Sequence, residues 1–252
     1  MSARGPDTAA ARGELAGQTV VVVGGSAGIG LETARRVRES GGEVILAARN
    51  AERLKRAADE LNPLSTSAFD AQDTERLERF VRELPGQVDH MLVTAGSPSY
   101  MPLDEIDLAD AGREFGVRVA MTLAVARASR EKVRAGGTLL FIGGTGGRRP
   151  APGMAVTGAL TAALPALTAN LALEIAPVRV NLIAAGFVDT PLSASLLGDR
   201  LQARRDQLRD TLPIGRVVGP ADVAALALHL MLNDALTGAT YDIDGGQQLV
   251  GL

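Results

Sequence analysis

The chemistry most plainly written in this chain lies in eight residues, Val23-Gly24-Gly25-Ser26-Ala27-Gly28-Ile29-Gly30. They join a short β-branched run, Thr19–Val23, to a segment with helical spacing that starts at Ile29. Glycines at such a junction let the backbone turn tightly and approach a pyrophosphate, and the helix that follows offers free N–H groups and a positive dipole end. The turn lies between a strand and a helix in the first crossover, as a dinucleotide site requires. Gly24, Ser26, Gly28, Ile29 and Gly30 are therefore candidate contacts to a dinucleotide. The second strand ends Ala47-Ala48-Arg49-Asn50. A site for NAD places an Asp or Glu here, to accept from the ribose 2′-hydroxyl. Arg49 instead offers a fixed charge and directed donors, which suit a 2′-phosphate. The expected cofactor is NADP(H); the alternative is a surface arginine with no ligand.

Composition narrows the remaining chemistry. There is no cysteine, so disulfides, thiolate metal sites and a cysteine nucleophile are excluded. The two histidines, His90 and His229, are too far apart in sequence to suggest a metal site. The net charge is −3 and no basic stripe stands out, so nucleic acid is not an expected partner. No apolar run is read as long enough to span a membrane. Met1–Gly13 reads as a disordered leader, not a secretory signal, which makes a cytoplasmic protein the default expectation.

Strand and helix patterns alternate along the rest of the chain. The expected strands are Thr19–Val23, Val44–Ala47, Ser67–Phe69, His90–Thr94, Thr138–Ile142, Arg179–Ile183 and Thr240–Ile243. The expected helices are Ile29–Ser40, Ala51–Leu61, Thr74–Glu83, Phe115–Ala135, Ala155–Ile175 and Ala221–Leu232. Such alternation implies one α/β domain with a doubly wound parallel sheet over residues 14–252. The least regular stretch, Thr190–Val218, is either a helical lid over a site or a solvated excursion. Pro165 should bend its helix or leave one carbonyl unpaired.

The glycine turn resembles that of the short-chain dehydrogenase/reductase family, with Gly24, Gly28 and Gly30 at its glycine positions and Val23 in place of the usual Thr. Asp70-Ala71 resembles the family's adenine contact. Ala95-Gly96 resembles the end of its Asn-Asn-Ala-Gly motif. Gly186–Thr190, with Val188 and Thr190, resembles the segment that meets the nicotinamide carboxamide and phosphates. Gly215-Arg216 through Val223, and Asp244–Gly246, resemble its C-terminal landmarks. The resemblance runs from Leu15 to about Gly246. It implies a Rossmann-type fold, a nicotinamide cofactor, and a homodimer or homotetramer packed through the helices at Phe115–Ala135 and Ala155–Ile175.

It also implies a proton-transfer tetrad that this chain lacks. The family's Tyr position holds Thr157, its Lys position Thr161, its Ser position Gly144 and its Asn position Arg118. The candidate catalytic residues are thus Arg118, Thr145, Thr157 and Thr161, all of them substitutions or neighbours. Arg118 either stabilises developing negative charge, anchors an acidic substrate, or pairs with Glu114. Thr145 either donates a hydrogen bond or caps a turn. Tyr100 is the one phenol expected near the site, and Arg148 and Arg149 face either ligand or solvent. Arg200–Arg209 reads as a solvated helix face. A missing general acid removes roughly 10²- to 10⁴-fold in rate. The expected function is hydride transfer to an activated acceptor, such as an iminium, enone or carbonyl, without the usual acid. The alternative is a catalytically inactive NADP(H)-binding sensor or scaffold.

Overall fold

The computed structural model describes residues 13–250, so all but Gly13 of the expected leader lies outside the described residues. Gly13 itself belongs to the folded part, since its carbonyl accepts from Ala16 N–H. Seven strands form one parallel sheet in the order β3-β2-β1-β4-β5-β6-β7. They are β1 (Thr19–Val23), β2 (Glu43–Ala48), β3 (Ser65–Ala68), β4 (Val88–Val93), β5 (Val133–Gly144), β6 (Arg179–Ala185) and β7 (Thr240–Ile243). The eight α-helices among the described residues are α1 (Gly28–Glu39), α2 (Ala51–Leu61), α3 (Thr74–Arg82), α4 (Leu108–Lys132), α5 (Ala155–Glu174), α6 (Pro191–Leu197), α7 (Leu201–Thr211) and α8 (Pro220–Leu232).

The pleat of β1 explains the two layers. Val20 and Val22 point to one face and pack with α1, α2 and α8 through Ala34, Leu54 and Val223. Val21 and Val23 point to the other and pack with α3, α4 and α5 through Phe80, Val125 and Leu164. Apolar residues on both faces of every central strand fit a parallel sheet covered on both sides. Strand order reverses between β1 and β4, which leaves a crevice at their carboxyl ends.

Some boundaries differ from the sequence expectation. Helix α4 begins at Leu108, seven residues earlier than Phe115, because Asp107 caps it by accepting from Ala109 N–H at 2.8 Å and Asp110 N–H at 3.0 Å. It ends at Lys132, and β5 starts at once with Val133. The strand extends through Arg134–Gly137 with a register irregularity against β4. Within the stretch 190–218, residues 191–211 are helical and the rest is turn or irregular chain. Thr190 caps α6, a 3₁₀ turn at 198–200 follows, and α7 completes it. Helix α5 is 20 residues long and apolar enough, by length and composition, to cross a membrane, which corrects the reading that no such run exists. Its apolarity has a different use here. Thr157, Leu160, Leu164, Thr168 and Leu171 form its buried face, and the opposite face is mostly alanine. The helix runs unbroken through Pro165, which has no N–H for the Thr161 carbonyl.

Candidate functional site

The motif segments converge at the carboxyl edge of the sheet. Gly24 turns the chain at φ +101°, and a Cβ there would overlap Thr94 Oγ1. A Cβ on Gly30 would overlap the Gly24 carbonyl. Thr94 Oγ1 lies 3.3 Å from the carbonyl oxygens of both Val23 and Gly24, so its hydroxyl ties the end of β4 to the turn. The N-cap of α1 is Ala27, which supplies no side-chain cap, so the first N–H groups of the helix remain available to phosphate. Ser26 and Ile29 flank this opening. A backbone cradle that any Cβ would fill, beside an uncapped helix N-terminus, fits a dinucleotide pyrophosphate.

Around the cradle lie the other expected contacts. Arg49 follows β2, its side chain 74% exposed, with Nη1 3.6 Å from Asp70 Oδ2 beyond β3. Ala71 is buried behind Asp70. Thr190 accepts from Ser193 N–H at 3.2 Å, and its methyl group faces Gly28. Val188 is buried and bridges Val218, so the lid helices spring from a fixed base. A cleft of about 420 Å³ opens between Ser26, Gly28 and the Arg53 and Arg56 side of α2. A larger one, about 710 Å³ near Arg36 and His229, lies at the far ends of α1 and α8 and holds none of the motif residues.

Of the candidate catalytic residues, Thr145, Thr157 and Thr161 cluster at the start of α5, and Arg118 stands beside Ala95 and Gly96. Arg118 projects from α4 across the end of β4 and donates from Nη1 to the Ala95 carbonyl at 2.9 Å. Its guanidinium fills the space where a side chain on Gly96 would stand, and Gly96 has φ +116°. No carboxylate among the described residues lies within 4 Å of it, although Glu114 one turn earlier contributes some favourable field. Burial lowers its pKa from the ordinary arginine value, while a guanidinium stays protonated under any working condition. Thr157 is buried at the start of α5. Its hydroxyl donates to the Ser99 carbonyl at 2.5 Å and accepts from Ser99 N–H at 3.2 Å. Thr161 Oγ1 shares its proton between the Thr157 and Gly158 carbonyls, at 2.9 and 3.1 Å. Thr145 is buried next to Gly144, its N–H donating to the Ala185 carbonyl. The sequence reading missed Thr94 and the Thr157–Ser99 pair. Thr94 could have been found, since it immediately precedes Ala95-Gly96; the second contact spans 58 residues and leaves no local signal.

Comparison with known proteins agrees with the fold. A family model described as enoyl-(acyl carrier protein) reductase matches residues 23–248. The chain belongs to the short-chain dehydrogenase/reductase family. A dehydrogenase/reductase SDR family member 4 from Sus scrofa is 29% identical over 253 residues, covering 93% of this chain and 88% of that protein. The MalC reductase/Diels-Alderase of Malbranchea aurantiaca superposes with a TM-score of 0.87 at 25% identity, over 95% of this chain and 99% of that one. A small-chain dehydrogenase solved in complex with NADPH superposes with a TM-score of 0.79 at 26% identity, over 92% and 99%. As a short-chain dehydrogenase/reductase, this chain falls among the NAD(P)-dependent oxidoreductases.

Proposed function

We propose that this short-chain dehydrogenase/reductase uses NADP(H) to reduce an electron-poor acceptor without a phenolic acid. The observation that carries the reading is the guanidinium of Arg118, half-buried and held beside Ala95 and Gly96; by the sequence resemblance it takes the place of the family's Asn. Bound NADPH supplies the hydride. The glycine turn and the open N-terminus of α1 would hold the pyrophosphate, and Arg49 the 2′-phosphate. Arg118 faces the reacting end with a fixed positive charge in a poorly solvated setting, where it lowers the energy of negative charge developing on the acceptor oxygen. Thr157 cannot act as the acid: its proton is committed to Ser99, and an alcohol is too weak an acid near neutrality. Iminium ions need no proton on reduction, and a conjugated enone passes through an enolate that a guanidinium can stabilise and that then takes a proton at carbon from water. The enoyl reductase description of the matching family model supports an acceptor of the second kind.

The test is single-turnover oxidation of NADPH with an iminium, an enone and a simple ketone of similar size. The activated acceptors should react faster by roughly 10²-fold or more, and Arg118→Met should slow the enone by a comparable factor. Simple ketones reacting as fast as activated acceptors would overturn the reading. A second reading, a catalytically inactive NADP(H) sensor or scaffold, draws on the closed hydrogen bonds of Thr157 and Thr161. It requires tight cofactor binding with no hydride transfer to any acceptor, and one defined reduction product removes it.

A further inference from the structure

The segment that follows β6 lies against the glycine turn, and a side chain from the far end of the chain holds its start. At one end of the segment, a Cβ on Gly28 would come 3.4 Å from the Thr190 methyl group. Three residues before Thr190, Phe187 N–H donates to Gln247 Oε1 at 2.8 Å, a contact that spans 60 residues. The N–H groups on either side have main-chain partners. Gly186 N–H donates to the Ile243 carbonyl at 3.1 Å, and Asp189 N–H to the Val218 carbonyl at 2.9 Å. Val188 N–H, between Phe187 and Asp189, donates to no group among the described residues, although Val188 is only 6% exposed. Gln247 is itself buried, and a Cβ on Gly186 would come 2.5 Å from its Oε1.

The turn that carries Gln247 is a firm base. Asp244 Oδ1 accepts from Gly246 N–H at 2.8 Å, Asp244 Oδ2 accepts from Gln248 N–H at 2.9 Å, and Gln247 N–H donates to the Asp244 carbonyl at 3.1 Å. Pro213 and Ile214, just past the end of α7, fill the space that side chains on Gly246 and Gly245 would need. A peptide plane turns as a unit. Gln247 fixes the plane joining Gly186 to Phe187, and Val218 fixes the plane joining Val188 to Asp189. The plane between them carries Val188 N–H, so its two neighbours set its direction. A buried N–H with no partner in the chain calls for one from a ligand. We infer that Gln247 is a positioning residue for the nicotinamide: its amide oxygen holds Phe187 so that Val188 N–H is presented to the carboxamide of the bound cofactor. An apolar side chain of the same length would fill this space at a lower desolvation cost, so what the amide adds is direction. The inference rests on the glycine turn as the pyrophosphate site, and on nothing assumed about the acceptor.

Calorimetric titration of the full chain with NADPH and with adenosine 2′,5′-bisphosphate tests it. The bisphosphate keeps the adenosine and its 2′-phosphate but lacks the nicotinamide half. The parent should bind NADPH more tightly than the bisphosphate. Gln247→Met has a similar length and no amide oxygen. It should cut the NADPH advantage by roughly three- to tenfold, the range of one hydrogen bond, and leave bisphosphate affinity in place. Gln247→Glu keeps an acceptor oxygen at the same reach and should retain most of the advantage. Equal loss of both ligands in Gln247→Met, an NADPH advantage that survives in it, or a parent with no such advantage would overturn the inference. These are binding measurements and need no hydride transfer. A chain that reduces no activated acceptor would sink the proposed reaction and leave the positioning result standing, whereas a parent that binds neither ligand would sink the cofactor site and this inference with it.

Discussion

Arg49 and Asp70 make the cofactor choice a competition between two neighbours of the guanidinium. Their pairing is loose, at 3.6 Å between exposed side chains, and an ion pair of this sort contributes about 0–1 kcal/mol. A 2′-phosphate carries more charge and presents oxygens that match the guanidinium fork, so it should displace Asp70 readily. NADH brings only a hydroxyl, and no carboxylate stands at Ala48 to accept from it. We therefore expect NADPH to bind more tightly than NADH, and Arg49→Asp to reverse the order. The combined swing should be about 10²-fold or more, because one change removes a charged donor and adds a charge that repels phosphate. Calorimetric titration of both variants with NADPH and NADH measures it; an unchanged affinity ratio would show that Arg49 plays no part in cofactor choice.

At the scale of elements, the seam between β4 and β5 carries a pH dependence. His90 on β4 stands in register with Thr138 on β5, and His90 Nδ1 and Thr138 Oγ1 are both buried without a hydrogen-bond partner among the described residues. His90 Nε2 meets Gln18 Oε1 at 2.7 Å. Burial, reinforced by Arg179 and Arg134 and opposed by Asp89, pushes the imidazole pKa down to about 4. The unfolded chain therefore binds this proton more readily than the native one between about pH 4 and pH 6.5. Stability should be complete above that window and fall as the pH drops through it, by up to about 3 kcal/mol from this residue alone. Urea titrations at a series of pH values should show a shallower acid loss in His90→Gln; parallel profiles would exclude His90 as the cause. The same seam shows what was legible in the sequence. Alternating apolar runs and glycine stops fixed the order of elements because they are local signals. The early start of α4 was missed because residues 108–114 mix one Leu with charges and Gly and form no apolar stripe. The start of β5 was missed because Arg134–Gly137 looks like a turn. Within the site, the glycine turn was readable because its residues are contiguous. Thr157's lock on Ser99 depends on elements distant in sequence, and helical spacing cannot say which element lies across from a given face.

At the scale of the whole molecule, α4 and α5 present surfaces that one chain leaves uncovered. Along α5 the exposed positions Ala155, Ala159, Ala162, Ala166 and Ala169 recur at intervals of three and four, and Leu173 continues them at 81% exposure. On α4, Leu108, Phe115 and Leu123 are exposed large apolar residues, and Gly112 and Gly116 open onto empty space. A smooth alanine face lets another helix approach closely, but alanine alone gives little area per residue, so the adjoining Leu and Phe must contribute to any stable contact. We propose that a second copy of the chain covers this face about a twofold axis, the arrangement in which one self-complementary patch satisfies both partners. Ala166 lies near the middle of the stripe, so Ala166→Glu would place a charge inside the contact without disturbing the buried face that α5 turns to the sheet. Light scattering coupled to size-exclusion chromatography should then find a dimer or tetramer for the parent and a monomer for the variant, with cofactor affinity in the variant little changed. A parent that runs as a monomer at micromolar concentration, or a variant that keeps the parent's mass, would assign the alanine face to something other than self-association.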